Sequence, residues 1–400
     1  LRIGVFSDSY TPYTSGVVTS IKTFKYELEK RGHEVFIFAP SYPHYHVEEK
    51  GIYRFYSLPS PTNPDFTLAI PVLPGLNMLV RRLNLDIIHV HSPVLMGRVG
   101  LRYAKKYRIP IVFTYHTMYD QYVHYIPLAQ ELAKDITIKY SNSFCNSCDH
   151  VIVPTPEVAE ILKNYHIKTP VTVLPTGVPL QKFDGGVNEK DWLRRNYSIP
   201  ENNKILLFVG RLAKEKNLEF LIKAFKKLKD SRPDTTLVLT AQGPIEADLK
   251  KLVKKLNMSL EDDVVFTGAL PFDTLVKAYY SADLFVFSSL TETQGLVLIE
   301  AMAAGLPVVA VKASGVQDMV DHNINGILTA EDIDEFSQAV LTVLQDDELY
   351  ARLKENAFKK AYLMSSEAMT TRLENIYNEL CENYVGKRSR RLDFYRWFGA

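Results

Sequence analysis

Short apolar runs alternate with amphipathic stretches along most of the chain. Ile3 to Phe6, Val35 to Phe38, Ile87 to Val90, Ile111 to Thr114 and Val151 to Val153 are continuous and bounded by polar or turn-forming residues. That pattern predicts short strands buried on both faces. Between the first two runs, Val17, Ile21, Phe24 and Leu28 recur at helical spacing, and Gly32 ends the helix before the next strand. A strand, a helix and a strand in that order form a βαβ unit, whose right-handed crossover builds a doubly wound parallel sheet.

The pattern lapses through Asp184-Gly185-Gly186 and Pro200-Glu201-Asn202-Asn203, then restarts at Ile205 to Val209. Further strands are predicted at Thr236 to Leu239, Val264 to Phe266, Leu284 to Phe287 and Val308 to Ala310, with helices between them. The expectation is an α/β protein of two Rossmann-like domains, residues 1–185 and 200–365, with a helix and a basic-aromatic tail over 366–400 packing back toward the first domain. At 400 residues with 46% apolar and 23% charged positions, the chain can bury a large core without staples, and collagen-like, coiled-coil and disordered classes are excluded. Cys145, Cys148 and Cys381 are an odd set, which favours a reducing compartment over a disulfide framework. No apolar run approaches the roughly 18 residues of a membrane span. The chain also enters its first strand at once, without a signal-peptide pattern.

The net charge of +1 conceals an asymmetry. Residues 1–185 carry a net +4, residues 186–385 a net −7 and residues 386–400 a net +4. A positively charged face of that kind suits an anionic membrane or a nucleic acid.

In paired doubly wound domains, ligands lie beyond the carboxyl ends of the strands, so the loops there carry the candidate chemistry. Ser15-Gly16-Val17-Val18 opens a helix, where Gly16 would let a phosphate approach backbone N–H groups. Gly210 to Asn217 follows a strand and places Arg211 and Lys216 together, a guanidinium and an ammonium suited to a diphosphate. In Thr291 to Glu300, Glu292 and Glu300 bracket Gly295 at the start of a helix. Carboxylates accept hydrogen bonds from sugar hydroxyls and helix-start amides donate to phosphate, so a sugar nucleotide would satisfy both halves.

Glu292 to Glu300 resembles the E-x7-E motif of retaining glycosyltransferases of family 4, which have the two-domain GT-B fold. Gly210 to Asn217 is similar to their phosphate loop, Gln242-Gly243-Pro244 with Leu249 to their G-x-G-P-x4-L stretch, and Pro175 to Val178 and Thr114 to Thr117 to further landmarks. The resemblance implies that the two domains face a central cleft. It also implies that Arg211 and Lys216 bind the donor diphosphate, that Gly16 adds an N–H and that Glu300 holds the ribose. Glu292 and the backbone of Thr293, Gln294, Gly295 and Leu296 would hold the donor sugar, and His116 would line the reaction centre. Thr291 to Gly295, Ser15 to Ser20 and His116 to Tyr119 are most similar to bacterial diacylglycerol glucosyltransferases, which are monotopic. Ala241 departs from the usual first glycine of G-x-G-P. Gln294 replaces the phenylalanine of many soluble relatives, as in the lipid enzymes.

The implied reaction moves glucose from UDP-glucose to 1,2-diacylglycerol, without cofactor or metal, at the cytoplasmic face of a membrane and with no nucleic-acid partner. UDP-galactose, another lipid or a soluble acceptor remain open, as do a nucleotide-sugar epimerase and a non-catalytic sensor. Acceptor and membrane contact is expected at Asp8, Leu76, Leu79, Arg81, Arg82, Arg98, Arg102, Lys105, Lys106 and Tyr119, and at Arg388, Arg391 and Trp397 in the tail. Cys145 and Cys148 have metal spacing but no second ligand pair, and are expected to be free thiols. His89 and His91 are read as facing opposite sides of a strand, which would keep them from sharing a metal. Asp332-Ile333-Asp334 precedes helically spaced Phe336, Val340, Leu341 and Leu344, and is read as acids at a helix start.

Overall fold

The computed structural model describes residues 1–60, 66–116, 130–184, 189–292 and 294–398. The chain divides into two compact units, Leu1–Gly177 with Ser366–Ala400, and Val178–Ser365.

The first unit runs β1 (Arg2–Phe6), α1 (Gly16–Lys30), β2 (Glu34–Pro40), β3 (Ile52–Phe55), β4 (Ser57–Pro59), β5 (Thr67–Ala69), α2 (Leu76–Leu83), β6 (Ile87–Val90), α3 (Leu95–Tyr107), β7 (Ile111–Thr114), α4 (Gln130–Cys145), β8 (His150–Val153), α5 (Pro156–Asn164) and β9 (Val171–Val173). Seven of these strands form a parallel sheet in the order β3-β2-β1-β6-β7-β8-β9, and β4 pairs with β5 in a separate antiparallel ribbon. Every residue of β6 and β7 is buried, as their continuous apolar runs require of strands covered on both faces. The Ser15 side chain accepts the Val18 N–H and starts α1, whose Val18, Ile21, Phe24 and Leu28 then face the sheet.

The second unit runs α6 (Trp192–Tyr197), β10 (Lys204–Val209), α7 (Leu218–Ser231), β11 (Thr235–Thr240), α8 (Glu246–Lys255), β12 (Val264–Phe266), α9 (Phe272–Ser281), β13 (Leu284–Phe287), α10 (Leu296–Ala303), β14 (Val308–Val311), β15 (Gly326–Thr329), α11 (Ile333–Gln345) and α12 (Asp347–Leu363). Its parallel sheet has the order β12-β11-β10-β13-β14-β15. Strand order reverses at β1/β6 in one unit and at β10/β13 in the other, which opens a crevice at each carboxyl edge.

The apolar runs anticipate the central strands to within a residue or two. They miss the β4–β5 ribbon and, in the two parallel sheets, β3, β9 and β15, all at sheet edges, where one side is uncovered and the apolar signal is weak. The second unit also begins earlier than the expected break at 184–203. Val178, Phe183, Leu193 and Ile199 are buried in its core, and the Phe183 ring lies 6.3 Å from that of Tyr279.

The last helix, α13 (Ser366–Phe398), belongs to the first unit. Met369, Leu373 and Tyr377 complete the core between α1 and the sheet, and Ser366 Oγ donates to the buried Glu27 Oε1 at 2.7 Å. Arg31 and His33, at the end of α1, both reach Glu374 on α13, with His33 Nε2 2.7 Å from Oε1 and Arg31 paired with the other oxygen. Burial opposes the charge on Glu374, but the bonds from His33 and Arg31 outweigh it and hold the carboxyl below its usual range. A depressed carboxylate contributes stability above its unfolded pKa, and that stability is lost as pH falls through the folded value. Glu374→Gln should therefore lower the unfolding free energy at neutral pH by about 1 kcal/mol, below the usual range for charged hydrogen bonds because water reaches and screens the site. The gap should close in acid. Denaturant titrations at neutral and acidic pH measure both, and equal stability at neutral pH would remove this clasp.

Candidate active site

The loops that leave β10 and β13 flank the crevice of the second unit. After β10, Gly210–Asn217 passes through a tight 3-10 turn at Lys214–Lys216, and Asn217 adopts a left-handed conformation before α7. The buried hydroxyls of Ser288 and Ser289, just past β13, donate to the carbonyls of Lys216 (2.7 Å) and Glu215 (3.3 Å), and the Leu290 N–H also donates to Glu215. These bonds zip the two loops together. Across the seam the Lys216 ammonium pairs with the Glu292 carboxylate, both largely buried. The turn at Ser314-Gly315 braces Glu292 from behind, because a Cβ on Gly315 would sit 2.4 Å from the Glu292 carbonyl and its φ of +70° favours glycine.

Gly295, also left-handed at φ +71°, caps α10, and the first-turn amides of that helix begin at Leu296. Glu300 lies on the second turn, where the buried Tyr279 hydroxyl donates to Oε2 at 2.8 Å. Burial raises the Glu300 pKa and the Tyr279 bond works against that rise. The structure thus brings Lys216, Glu292, Gly295, Leu296 and Glu300 to one crevice, with Gln294 buried beside them. Arg211 is exposed at its rim and has no ion pair among the described residues. Thr293 lies outside the described residues. Tyr279 and the two serines were not anticipated. The only signal for the serines was their place immediately after a buried strand, and Tyr279 reads as one more apolar helix position.

At the first unit's carboxyl edge, Gly16 is the first residue of α1, and a Cβ there would meet nothing within 4 Å. Packing does not demand that glycine. Asp8 is committed to the scaffold: it accepts from Ser92 Oγ and, at 2.9 Å, from the Met96 N–H, so it caps the start of α3. The expected separation of His89 and His91 is wrong, because residues two apart on a strand share a face. Their rings lie 4.2 Å apart. His91 Nδ1 is 2.8 Å from His116 Nε2, while His89 bridges Tyr377 and Thr114. Burial lowers all three histidines, His116 to about 4 and His89 to about 3, so the set is neutral at physiological pH. Among the described residues no group of three or more His, Cys, Asp or Glu is arranged to hold a metal ion.

The residues expected to meet acceptor and membrane separate. Leu76 is buried with Val80 and Leu83 and Leu79 is half-buried, so the inward face of α2 corrects the reading of Leu76 as a membrane contact. Arg81, Arg82, Arg98, Arg102, Lys105 and Lys106 are exposed on α2 and α3. Tyr119 lies outside the described residues, and Arg388, Arg391 and Trp397 fall on the last turns of α13. Cys145 and Cys148 are buried free thiols, and burial pushes Cys145 up to about 12. Asp332 accepts the N–H groups of Asp334 and Glu335 as the cap of α11. Among the described residues no helix is long and apolar enough to cross a membrane.

Residues 14–182 match the family described as Glycosyltransferase Family 4, and residues 189–360 match Glycosyl transferases group 1. The alpha-monoglucosyldiacylglycerol synthase of Streptococcus pneumoniae is 34% identical over 82% of this chain and 75% of its own length. The synthase of the same name from Acholeplasma laidlawii is 30% identical over 98% of this chain and all of its own. Among solved structures, Anabaena Alr3699/HepE in complex with UDP superposes with a TM-score of 0.76 at 18% identity, over 95% of this chain and all of that one. With two doubly wound parallel units and family matches across both, this chain belongs to the family 4, group 1 glycosyltransferases and is a hexosyltransferase of the GT-B fold.

Proposed function

We propose that this enzyme transfers glucose from UDP-glucose to 1,2-diacylglycerol with retention at the anomeric carbon, working peripherally on an anionic membrane surface at its cytoplasmic face. The observation that carries the reading is the β10/β13 crevice, where cations, helix-start amides and two carboxylates converge. Arg211, Lys216 and the α10 amides suit a diphosphate, Glu300 suits ribose hydroxyls and Glu292 suits the hexose. The relatives named as monoglucosyldiacylglycerol synthases support the choice of donor and acceptor.

In the proposed reaction the bond from the anomeric carbon to the UDP β-phosphate oxygen breaks and its electron pair leaves with UDP. The lipid hydroxyl attacks from the same face and its proton passes to the departing phosphate oxygen. The protein contributes position and charge: Arg211 and Lys216 stabilise the leaving group, and Gly16 adds an N–H. As diphosphate draws on Lys216, the Glu292 carboxylate becomes available to the sugar. His116, held neutral by burial and oriented by His91, offers a hydrogen bond and not a proton. Two cations already serve the diphosphate, so no metal or other cofactor is assigned. The basic faces of α2 and α3 and the basic-aromatic end of the chain are assigned to the lipid surface.

Lys216→Ala and Glu300→Ala should each weaken UDP binding by about 1.5–3 kcal/mol, the range for one charged hydrogen bond. Calorimetry tests this, and unchanged affinity in both variants would remove the two residues from the donor site. Glu300 also predicts a conflict between stability and binding. Its raised pKa means that the folded state holds the proton more tightly than the unfolded chain, so the ionised form costs stability above that pKa and the cost is relieved as pH falls through it. Glu300→Gln should thus melt higher than wild type at neutral pH yet bind UDP more weakly, and should lose the acid-side fall in affinity that protonation of Glu300 adds. A variant with a lower melting point at neutral pH would contradict this. Finally, turnover should survive EDTA, and a full loss restored by Mg or Mn would overturn the metal-free assignment.

A further inference from the structure

Residues 7–15 join β1 to α1 at the carboxyl edge of the first unit and end at the cap of the helix that begins with Gly16. The Ser15 side chain accepts the Val18 N–H and its carbonyl accepts the Thr19 N–H, which leaves the first-turn amides of Gly16 and Val17 without an acceptor among the described residues. Where those two amides lie depends on what pins the loop. Its start is held by Asp8, through Ser92 and the Met96 N–H, and its end by the Ser15 cap. The pin between them comes from a residue that the sequence does not single out, Arg54 on β3.

Arg54 is half-buried on this edge strand. Its guanidinium carbon lies 5.4 Å from the ring centroids of both Tyr10 and Tyr45. Nη1 donates to the Pro40 carbonyl at 3.1 Å and Nη2 to Thr11 Oγ1 at 3.3 Å. Tyr10 is itself buried, and its N–H donates to the Tyr42 hydroxyl at 3.3 Å. One cation thus ties β3 to the end of β2, to the loop after β2 and to the β1–α1 loop. It forms no ion pair among the described residues, and burial opposes its charge while Glu49 offsets only part of that cost. A side chain kept for packing alone would be neutral here. The site instead uses what a guanidinium combines, a planar cation that lies against aromatic rings and donates from its edge at the same time. Both terminal nitrogens are engaged by neutral oxygens of the scaffold, which makes the group a clamp.

We infer that Arg54 is a positioning residue for sugar transfer, holding the β1–α1 loop so that the amides of Gly16 and Val17 are fixed where the departing diphosphate gains charge. Arg54 acts through the loop and touches no substrate. Its effect on turnover rests on the reading proposed above, in which Gly16 supplies an N–H to the donor. A contact of that kind strengthens as the leaving group becomes more anionic, so its loss is felt in turnover more than in UDP affinity.

The test compares the full chain as wild type, Arg54→Ala and Arg54→Lys. Four quantities are read: hydrogen exchange along residues 7–20, UDP affinity by calorimetry, glucose transfer to diacylglycerol in vesicles, and hydrolysis of UDP-glucose without acceptor. In Arg54→Ala, exchange should quicken at the amides of Tyr10, Tyr13 and Val18, whose bonds order the loop and the helix start, and stay as in wild type within β1 and the middle of α1. Turnover should fall about tenfold, with UDP affinity changed far less. Arg54→Lys keeps the charge and loses the fork, so it should show the same two effects, and it carries the test if Arg54→Ala does not fold. Unchanged exchange at those amides, or quickened exchange with wild-type turnover, would overturn the positioning role, as would a loss of turnover wholly accounted for by lost UDP affinity. If wild type hydrolyses UDP-glucose but transfers nothing to diacylglycerol, and the variants slow that hydrolysis, the positioning role is upheld and the lipid-acceptor reading alone is overturned.

Discussion

Parallel strands joined by right-handed crossovers place successive helices on one face of a sheet until the strand order reverses. At that point two loops diverge and a crevice opens. In the second unit the reversal lies between β10 and β13, and the loops beside it carry Lys216 and Glu292. The buried hydroxyls of Ser288 and Ser289 then close the seam by satisfying the carbonyls of Lys216 and Glu215. Buried polar groups must find partners, so loops that would otherwise wander become a rigid frame for opposite charges.

The same requirement bears on Glu300. A carboxylate on an otherwise apolar helix has been drawn into the crevice, where among the described residues the Tyr279 hydroxyl donates to it against the cost of burial. A protein selected only for stability would remove that charge. A buried carboxylate with a raised pKa, on the second turn of a helix whose start lies in the crevice, is the kind of group that clusters at functional sites.

The first unit solves a different problem. Its helix α13 returns to fill the face beside α1, and Tyr377 reaches the buried His89. The resulting histidine set is neutral and its rings are held in order by hydrogen bonds and stacking, which leaves His116 fixed in place without a buried positive charge. The sheet edge is thus rigid at the histidines and apolar at the β4–β5 ribbon.

Much of this was legible in the chain itself. Strands buried on both faces must be continuously apolar, so β1, β6, β7, β10 and β13 announce themselves, and the candidate residues follow because the loops after such strands are known positions. Edge strands, half covered, did not announce themselves, nor did the unit boundary, because Val178 and Phe183 are buried by partners far along the chain. Pairings across sequence distance were invisible for the same reason: the return of α13 to α1, the seam between Ser288 and Lys216, the Tyr279 bond to Glu300 and the His91 bond to His116 each join residues whose order in sequence says nothing of their contact. The local alternation of β4 and β5 was present in the sequence, but which face is buried was not. Only the anchoring of Ser41 to Ser57 and Thr67 turned the small residues inward and left the large ones exposed, because a period of two defines two faces and tertiary contact alone chooses between them.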